Sequence, residues 1–259
     1  MVIYDKNAAI EIERSYQTPE IINQRLRTLD AISLRRGEVV LDVGCGTGLL
    51  LEMMAGLVGD SGRVTGLDFS ADMLEFAQTR CEGLAHTNLM QGSAENLDLD
   101  SDQFDSLTCT QVLLYVEKLQ QAMAEMFRVL KPGGRIAILE TDWRSAILNS
   151  PDPVLTRKMF DAWDQSVTSP NLPPELPTRL RQGGFKNISV TAIPIINSSY
   201  TPNCFSAGML KLFSRQAVEK QACDLSESKR WYEQLMALAE QDSYFFSVNR
   251  FLFTAVKPG

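Results

Sequence analysis

The chain is predicted to adopt an α/β fold on a mainly parallel sheet, and three features of the sequence carry that expectation. The run Val39–Val43 is apolar and β-branched around Asp42, passes through Gly44, Gly46 and Gly48, and re-emerges as the apolar pattern Leu49–Leu51. This reads as a buried strand, a glycine turn and a helix start. A second short strand, Arg63–Leu67, ends in Asp68. Strand-length apolar runs then alternate with helical patterns, as crossover-linked parallel strands require.

The glycine turn removes Cβ atoms where the chain bends and lets a ligand approach the backbone. The helix that starts there aims its free amides and positive dipole end at the same spot. The Gly-x-Gly-x-Gly spacing differs from the Gly-x-Gly-x-x-Gly of dinucleotide folds. Asp68 stands where such sheets hold ribose hydroxyls, so the expected ligand carries a nucleoside.

Composition narrows the class. With 259 residues and 44% hydrophobic content, the chain can bury one core plus a smaller addition. A net charge of −7 argues against nucleic-acid binding. Cys45, Cys81, Cys109, Cys204 and Cys223 are scattered, and His86 is the sole histidine. That spacing gives neither a zinc site nor a disulfide framework, and it fits a reducing cytoplasm. Met1–Lys6 lacks the apolar core of a secretory signal, and no apolar run reaches the roughly 20 residues of a membrane span.

Taken in order, residues 1–17 are polar. Thr18-Pro19-Glu20 then reads as N-cap, first-turn proline and first-turn acid. Ile21, Ile22, Leu26, Leu29 and Ile32 form the expected apolar face of the helix that follows. The helix after the glycine turn carries Leu49, Leu50, Met53, Met54 and Leu57. Ser70 caps the next, whose apolar positions are Met73, Leu74 and Ala77. Phe69 and Met73 follow the ribose carboxylate and can flank a flat adenine ring. A third strand covers Asn88–Gly92, and a fourth covers Ser106–Cys109 and ends at Thr110-Gln111. Lys131-Pro132-Gly133-Gly134 stops the helix after that strand. The fifth strand, Arg135–Leu139, ends in Glu140-Thr141-Asp142-Trp143. Ligands lie beyond the carboxyl ends of parallel strands, which places Asp142 and Trp143 at the substrate. Beyond Pro151 come a helix over Val154–Val167, a proline-rich loop and a sixth strand over Ile188–Ile196. Two helices follow, over Phe205–Val218 and from Asp224 with a capping-box Glu227, and the last strand covers Phe245–Val256.

Val39–Leu51, Gly66–Leu74, Gln91–Asp105 and Leu130–Glu140 resemble the successive motifs of class I S-adenosylmethionine-dependent methyltransferases. The chain is similar to the branch of ubiquinone/menaquinone C-methylases, methyltransferase type 11, over residues 36–141. The resemblance implies a Rossmann-like seven-stranded sheet, mainly parallel with the last strand antiparallel beside the fifth, plus a helical cap. It implies an N-terminal helical segment, residues 1–35, folded over the cofactor site. The methyltransferase domain would then be residues 36–259, with cap insertions at about 143–178 and 198–243. The implied cofactor, S-adenosyl-L-methionine, would lie on Asp42, Gly44, Cys45 and Gly46, with Asp68, Phe69 and Met73 at the nucleoside. The implied adenine contacts are Ser93, Ala94 and Glu95, where Ser93 replaces the acid usual in the family. Thr110 and Gln111 would face the transferred methyl. Tyr4, Tyr16, Tyr115, Asp142 and Trp143 are the candidate substrate residues.

The sulfonium is already activated, so alignment and water exclusion suffice for transfer to many acceptors. An oxygen nucleophile gains from a base, and Asp142 is the candidate, ahead of Tyr16 and Tyr244. The sequence shows no nucleophile elbow, phosphate-binding lysine loop or metal set. The expectation is methyl transfer to a small apolar or aromatic acceptor, with no nucleic-acid or membrane partner and with a homodimer as the open assembly. The alternatives are cofactor binding without turnover and methylation of a protein or nucleic acid.

Overall fold

The computed structural model describes residues 6–259. Seven strands form one sheet in the order β3-β2-β1-β4-β5-β7-β6. They are β1 (Val39–Val43), β2 (Arg63–Asp68), β3 (Thr87–Gln91), β4 (Phe104–Thr110), β5 (Leu130–Leu148), β6 (Lys186–Asn197) and β7 (Phe246–Val256). The first five run parallel, while β7 pairs antiparallel with both β5 and β6. Chain order reverses between β1 and β4, so a crevice opens at their carboxyl ends. β1 is buried along almost its whole length, which explains why it reads as a continuous apolar run.

Helices α1 (Lys6–Tyr16) and α2 (Pro19–Ile32) precede the sheet. α3 (Leu49–Val58), α4 (Ala71–Arg80) and α5 (Leu119–Val129) make the crossovers. α6 (Pro153–Asp164) and α7 (Leu176–Gln182) follow β5, whereas α8 (Phe205–Glu219) and α9 (Leu225–Glu240) lie between β6 and β7. Asp224 and Glu227 close the expected capping box: Asp224 Oδ1 accepts from Glu227 N at 2.8 Å, and Glu227 Oε2 from Asp224 N at 3.0 Å.

Three local expectations differ from the structure. Thr18 makes no side-chain cap for α2; its hydroxyl donates back to Ser15 O at 2.9 Å. α2 buries Ile21, Gln24, Arg25, Thr28, Leu29 and Ile32, while Ile22 and Leu26 stand exposed. Its inward face is part polar because it covers a cavity as well as the core. The fifth strand does not stop near Trp143; it continues, with an irregularity between Asp142 and Ile147, to pair Leu148 with Phe246. The long partner strand β7 sustains it, and the next helix, α6, begins at Pro153.

α6, α8 and α9 enclose an apolar cluster of their own, separate from the core between β4 and α5. Trp143 stacks edge-on against Trp163 at 5.2 Å and Phe213 at 5.8 Å between centroids. Fully buried Trp231 ties α9 to α6 by donating to Thr156 Oγ1 at 2.9 Å. Burying side chains of this size stabilises by about 2–3 kcal/mol each. These contacts tie α6, α8 and α9 into one packed unit. No described helix is long and apolar enough to cross a membrane.

Candidate functional site

A mainly apolar cavity of about 440 Å3 opens at the sheet's carboxyl edge, between the β1–α3 turn, the tips of β2 and β4, and helices α1 and α2. Its floor is the glycine turn. Gly44 has φ +74°, and a Cβ there would sit 2.1 Å from Val112 Cγ2, so this glycine lets the β4 loop approach. Gly46, at φ +54°, has nothing within 4 Å of its missing Cβ. That face is open to the cavity, a cradle any side chain would fill.

Asp68, at the end of β2, braces the turn: its Oδ2 accepts from Gly46 N at 2.8 Å and its Oδ1 from Ser70 N at 2.9 Å. Burial pushes its carboxyl pKa up, against those amide hydrogen bonds. Asp42, 2% exposed, accepts from Thr108 Oγ1 at 2.7 Å, and burial raises its carboxyl to about 7. The Cys45 thiol is buried and pushed far up by burial, so it stays protonated and packs near Gly66. Phe69, 64% exposed, and buried Met73 both line the cavity beside Asp68.

Ser93, Ala94 and Glu95 also reach the wall. Ser93 Oγ accepts from Glu95 N at 3.2 Å, while the Glu95 carboxylate holds Glu117 N and Lys118 N at 3.2 and 3.0 Å. The acid is thus committed to fixing the loop after β4. At the tip of β4, the hydroxyl of Thr110 is buried without a partner. Gln111 adopts φ +57°; its side chain donates to Leu139 O at 3.2 Å and accepts from Thr141 Oγ1 at 2.6 Å. The Gln111 amide is therefore engaged by β5.

Of the candidate substrate residues, Tyr16 and Tyr115 line the cavity. Asp142 and Trp143 are not part of its wall: Trp143 is buried in the cap cluster, and Asp142 Oδ1 accepts from Arg144 N at 3.2 Å. Tyr244, buried beneath the cap, donates to Ser206 Oγ at 2.8 Å. Tyr4 lies outside the described residues.

Several residues in or behind the wall carry little signal of their own in the sequence. Glu13 of α1 accepts from Thr47 Oγ1 and pairs with Arg80, whose Nε donates to Thr47 O at 2.9 Å. This latch ties α1 to the glycine turn. Arg250 of β7 is 2% exposed and lines the far end, with Nη1 donating to Gln24 Oε1. Glu140, fully buried beneath that end, accepts from Val112 N at 3.1 Å and Leu113 N at 2.7 Å; burial raises its carboxyl to about 8. One signal for Arg250 was available: it is the only charge in β7 and falls in phase with buried Phe246, Val248 and Leu252.

Residues 41–138 match the family model described as a methyltransferase domain. The chain is 39% identical over 117 residues to a demethylmenaquinone methyltransferase of Staphylococcus epidermidis, a match covering 45% of this chain and 48% of that protein. The chain spans less than half the length of the curated relatives it matches, 42% and 48% of the first two. Among solved structures, phosphoethanolamine N-methyltransferase 2 of Haemonchus contortus, in complex with S-adenosyl-L-methionine, superposes with TM-score 0.64 at 20% identity, covering 99% of this chain and 58% of that one. The [4+2]-cyclase SpnF superposes with TM-score 0.60 at 22% identity, over 91% and 81% of the two chains. The domain match falls on the strands and the open glycine turn that floor the cavity, so residues 41–138 are similar to a methyltransferase domain and the whole chain shares the fold of these structures.

Proposed function

We propose that this chain transfers the methyl group of S-adenosylmethionine to a small-molecule acceptor bound at the far end of the same cavity. The observation that carries this is the open face of Gly46 beside Asp68, in a cavity that continues past the turn into space walled by α1, α2 and β7. Bound there, the cofactor supplies a methyl group on a sulfonium leaving group. Asp68 would hold the ribose hydroxyls, Phe69 and Met73 would flank the adenine, and the main chain of the glycine turn would take the amino-acid tail. The α1 latch on Thr47 would keep water from the turn. Phe205 of α8 packs under Arg250 of the far wall, and the acceptor would be aligned by fit against that wall.

The test has two parts. S-adenosylhomocysteine should bind with micromolar affinity by calorimetry, and labelled cofactor with a metabolite extract should yield a labelled small molecule. Folded protein that binds the nucleoside yet labels nothing would favour the second reading, cofactor binding without methyl transfer. Two observations support that reading: the fold is shared with a cyclase, and Tyr16, an ionisable group in the wall, has its phenol pKa raised by burial. A quinone-type acceptor is suggested by the menaquinone enzymes among the relatives, and a charged phosphoamine by the Haemonchus one.

A further inference from the structure

Beyond the glycine turn the cavity wall changes character. Tyr16 and Gln24 from α1 and α2 line it with Arg250 from β7, and Arg25 of α2 lines it as well. Arg250 sits on the inward row of its strand, its guanidinium 4.8 Å over the Phe205 ring, and its Nε has no hydrogen-bond partner. Arg25, 8% exposed, donates from Nη1 to Tyr16 O at 2.6 Å, and its Nε is likewise unpartnered. Neither forms an ion pair within 4.0 Å among the described residues. Glu13 and Glu140 act on Arg25 and Arg250 without touching them, and a guanidinium withdrawn from water with no contact ion pair is left short of compensation. An anion entering the cavity would supply it.

The two arginines serve different ends. The charged neighbours of Arg25 are Glu13 and Arg80, the groups latched to the glycine turn. Arg250 instead feels Tyr16, Glu140 and Tyr115, around the tips of β4 and β5. The Arg25 end suits the carboxylate of the cofactor's own amino-acid tail. A second anion is then needed for the Arg250 end. The planar guanidinium fork recognises oxyanions with charge-assisted hydrogen bonds. The wall around it, including Ile12, Ile21 and Tyr115, accommodates an apolar or aromatic body.

We infer that the acceptor carries an acidic oxygen, as a carboxylate or an ionised phenol or enol, and that Arg250 anchors it at the end of the cavity away from the glycine turn. This rests on the function proposed above and names the acceptor's class. It also suits a wall whose tyrosine is a poor base, because such an acceptor arrives already ionised.

Paired probes test it on the full chain: benzoate, phenylacetate and 2-naphthoate, each against its primary amide, titrated with and without S-adenosylhomocysteine. The acids should bind at least about tenfold more tightly than the amides. Arg250→Met should erase that preference and leave S-adenosylhomocysteine affinity within about twofold. Should Arg250→Met fail to fold, Arg250→Lys carries the test, since it keeps the charge without the fork and should retain only part of the preference. A purely structural arginine would lower the melting temperature and leave the acid-to-amide ratio unchanged in the variants. That outcome overturns the inference, as do equal binding of acids and amides and an absence of saturable binding by every pair. A tenfold loss of S-adenosylhomocysteine affinity in Arg250→Met overturns it too, because the guanidinium then holds the cofactor's carboxylate. Wild-type protein that ignores the nucleoside yet prefers the acids would sink the proposed function and, with it, the acceptor role, leaving Arg250 as an anion site alone.

Discussion

The two ends of the cavity are built from different material. The glycine-turn end is made largely of backbone, with Gly46 open, Asp68 holding the turn's amides and a short loop after β3. The far end is made of side chains brought together from α1, α2 and β7, more than two hundred residues apart in the chain. A backbone-built end depends on local conformation, and an added atom there either strikes protein, as at Gly44, or fills ligand space, as at Gly46. A side-chain-built end can change its chemistry without disturbing the sheet, which is how one fold serves many acceptors.

Substitutions should separate the two ends. The largest effect is expected at Gly44, where a methyl group would collide with Val112 and the backbone is left-handed. Gly44→Ala should lower stability by about 2–4 kcal/mol in denaturant unfolding. Gly46→Ala is the sharper probe, because its Cβ meets no protein atom. It should unfold within about 1 kcal/mol of wild type yet lose nucleoside binding by about a hundredfold in calorimetry. Wild-type nucleoside affinity in that variant would break the comparison.

Asp68→Ala comes next, with cofactor affinity expected to fall about thirtyfold to a hundredfold. Asp142→Ala, outside the cavity wall, should bind the nucleoside like wild type. Equal affinities in the two variants would move the ribose away from β2.

The buried acids predict a pH dependence. Burial raises Glu140 from 4.5 to about 8. Across that window the unfolded chain has released a proton that the folded chain retains, so stability falls as pH rises. Glu140→Gln should flatten the decline by about 1 kcal/mol per pH unit, read from urea midpoints between pH 5 and pH 8. The smallest effect is expected at the latch: Glu13→Gln should cost under about 1 kcal/mol of stability, speed cofactor release in stopped flow and expose α1 to protease.

The same contrast governs what could be read from the sequence. The glycine turn, Asp68 and the alternation of elements are legible because they are local: a few adjacent residues dictate backbone shape and strand ends. The capping box at Asp224 and Glu227 is legible for the same reason. The far wall is not, because nothing near Arg250 or Gln24 announces that they meet. α2 misled by its composition: Ile22 and Leu26 complete an apolar pattern, but the helix turns Gln24, Arg25 and Thr28 inward to border a cavity. Trp143 and Asp142 follow the strand-end rule only if β5 ends there, and pairing with β7 carries the strand onward to Leu148.

A crystal structure of the chain with S-adenosylhomocysteine tests the central claim most directly. The ribose should lie on Asp68 and the tail across the open face of Gly46, with no nucleoside atom within hydrogen-bonding distance of Arg250. A nucleoside lying outside the glycine turn, or one whose carboxylate sits on Arg250, would contradict it.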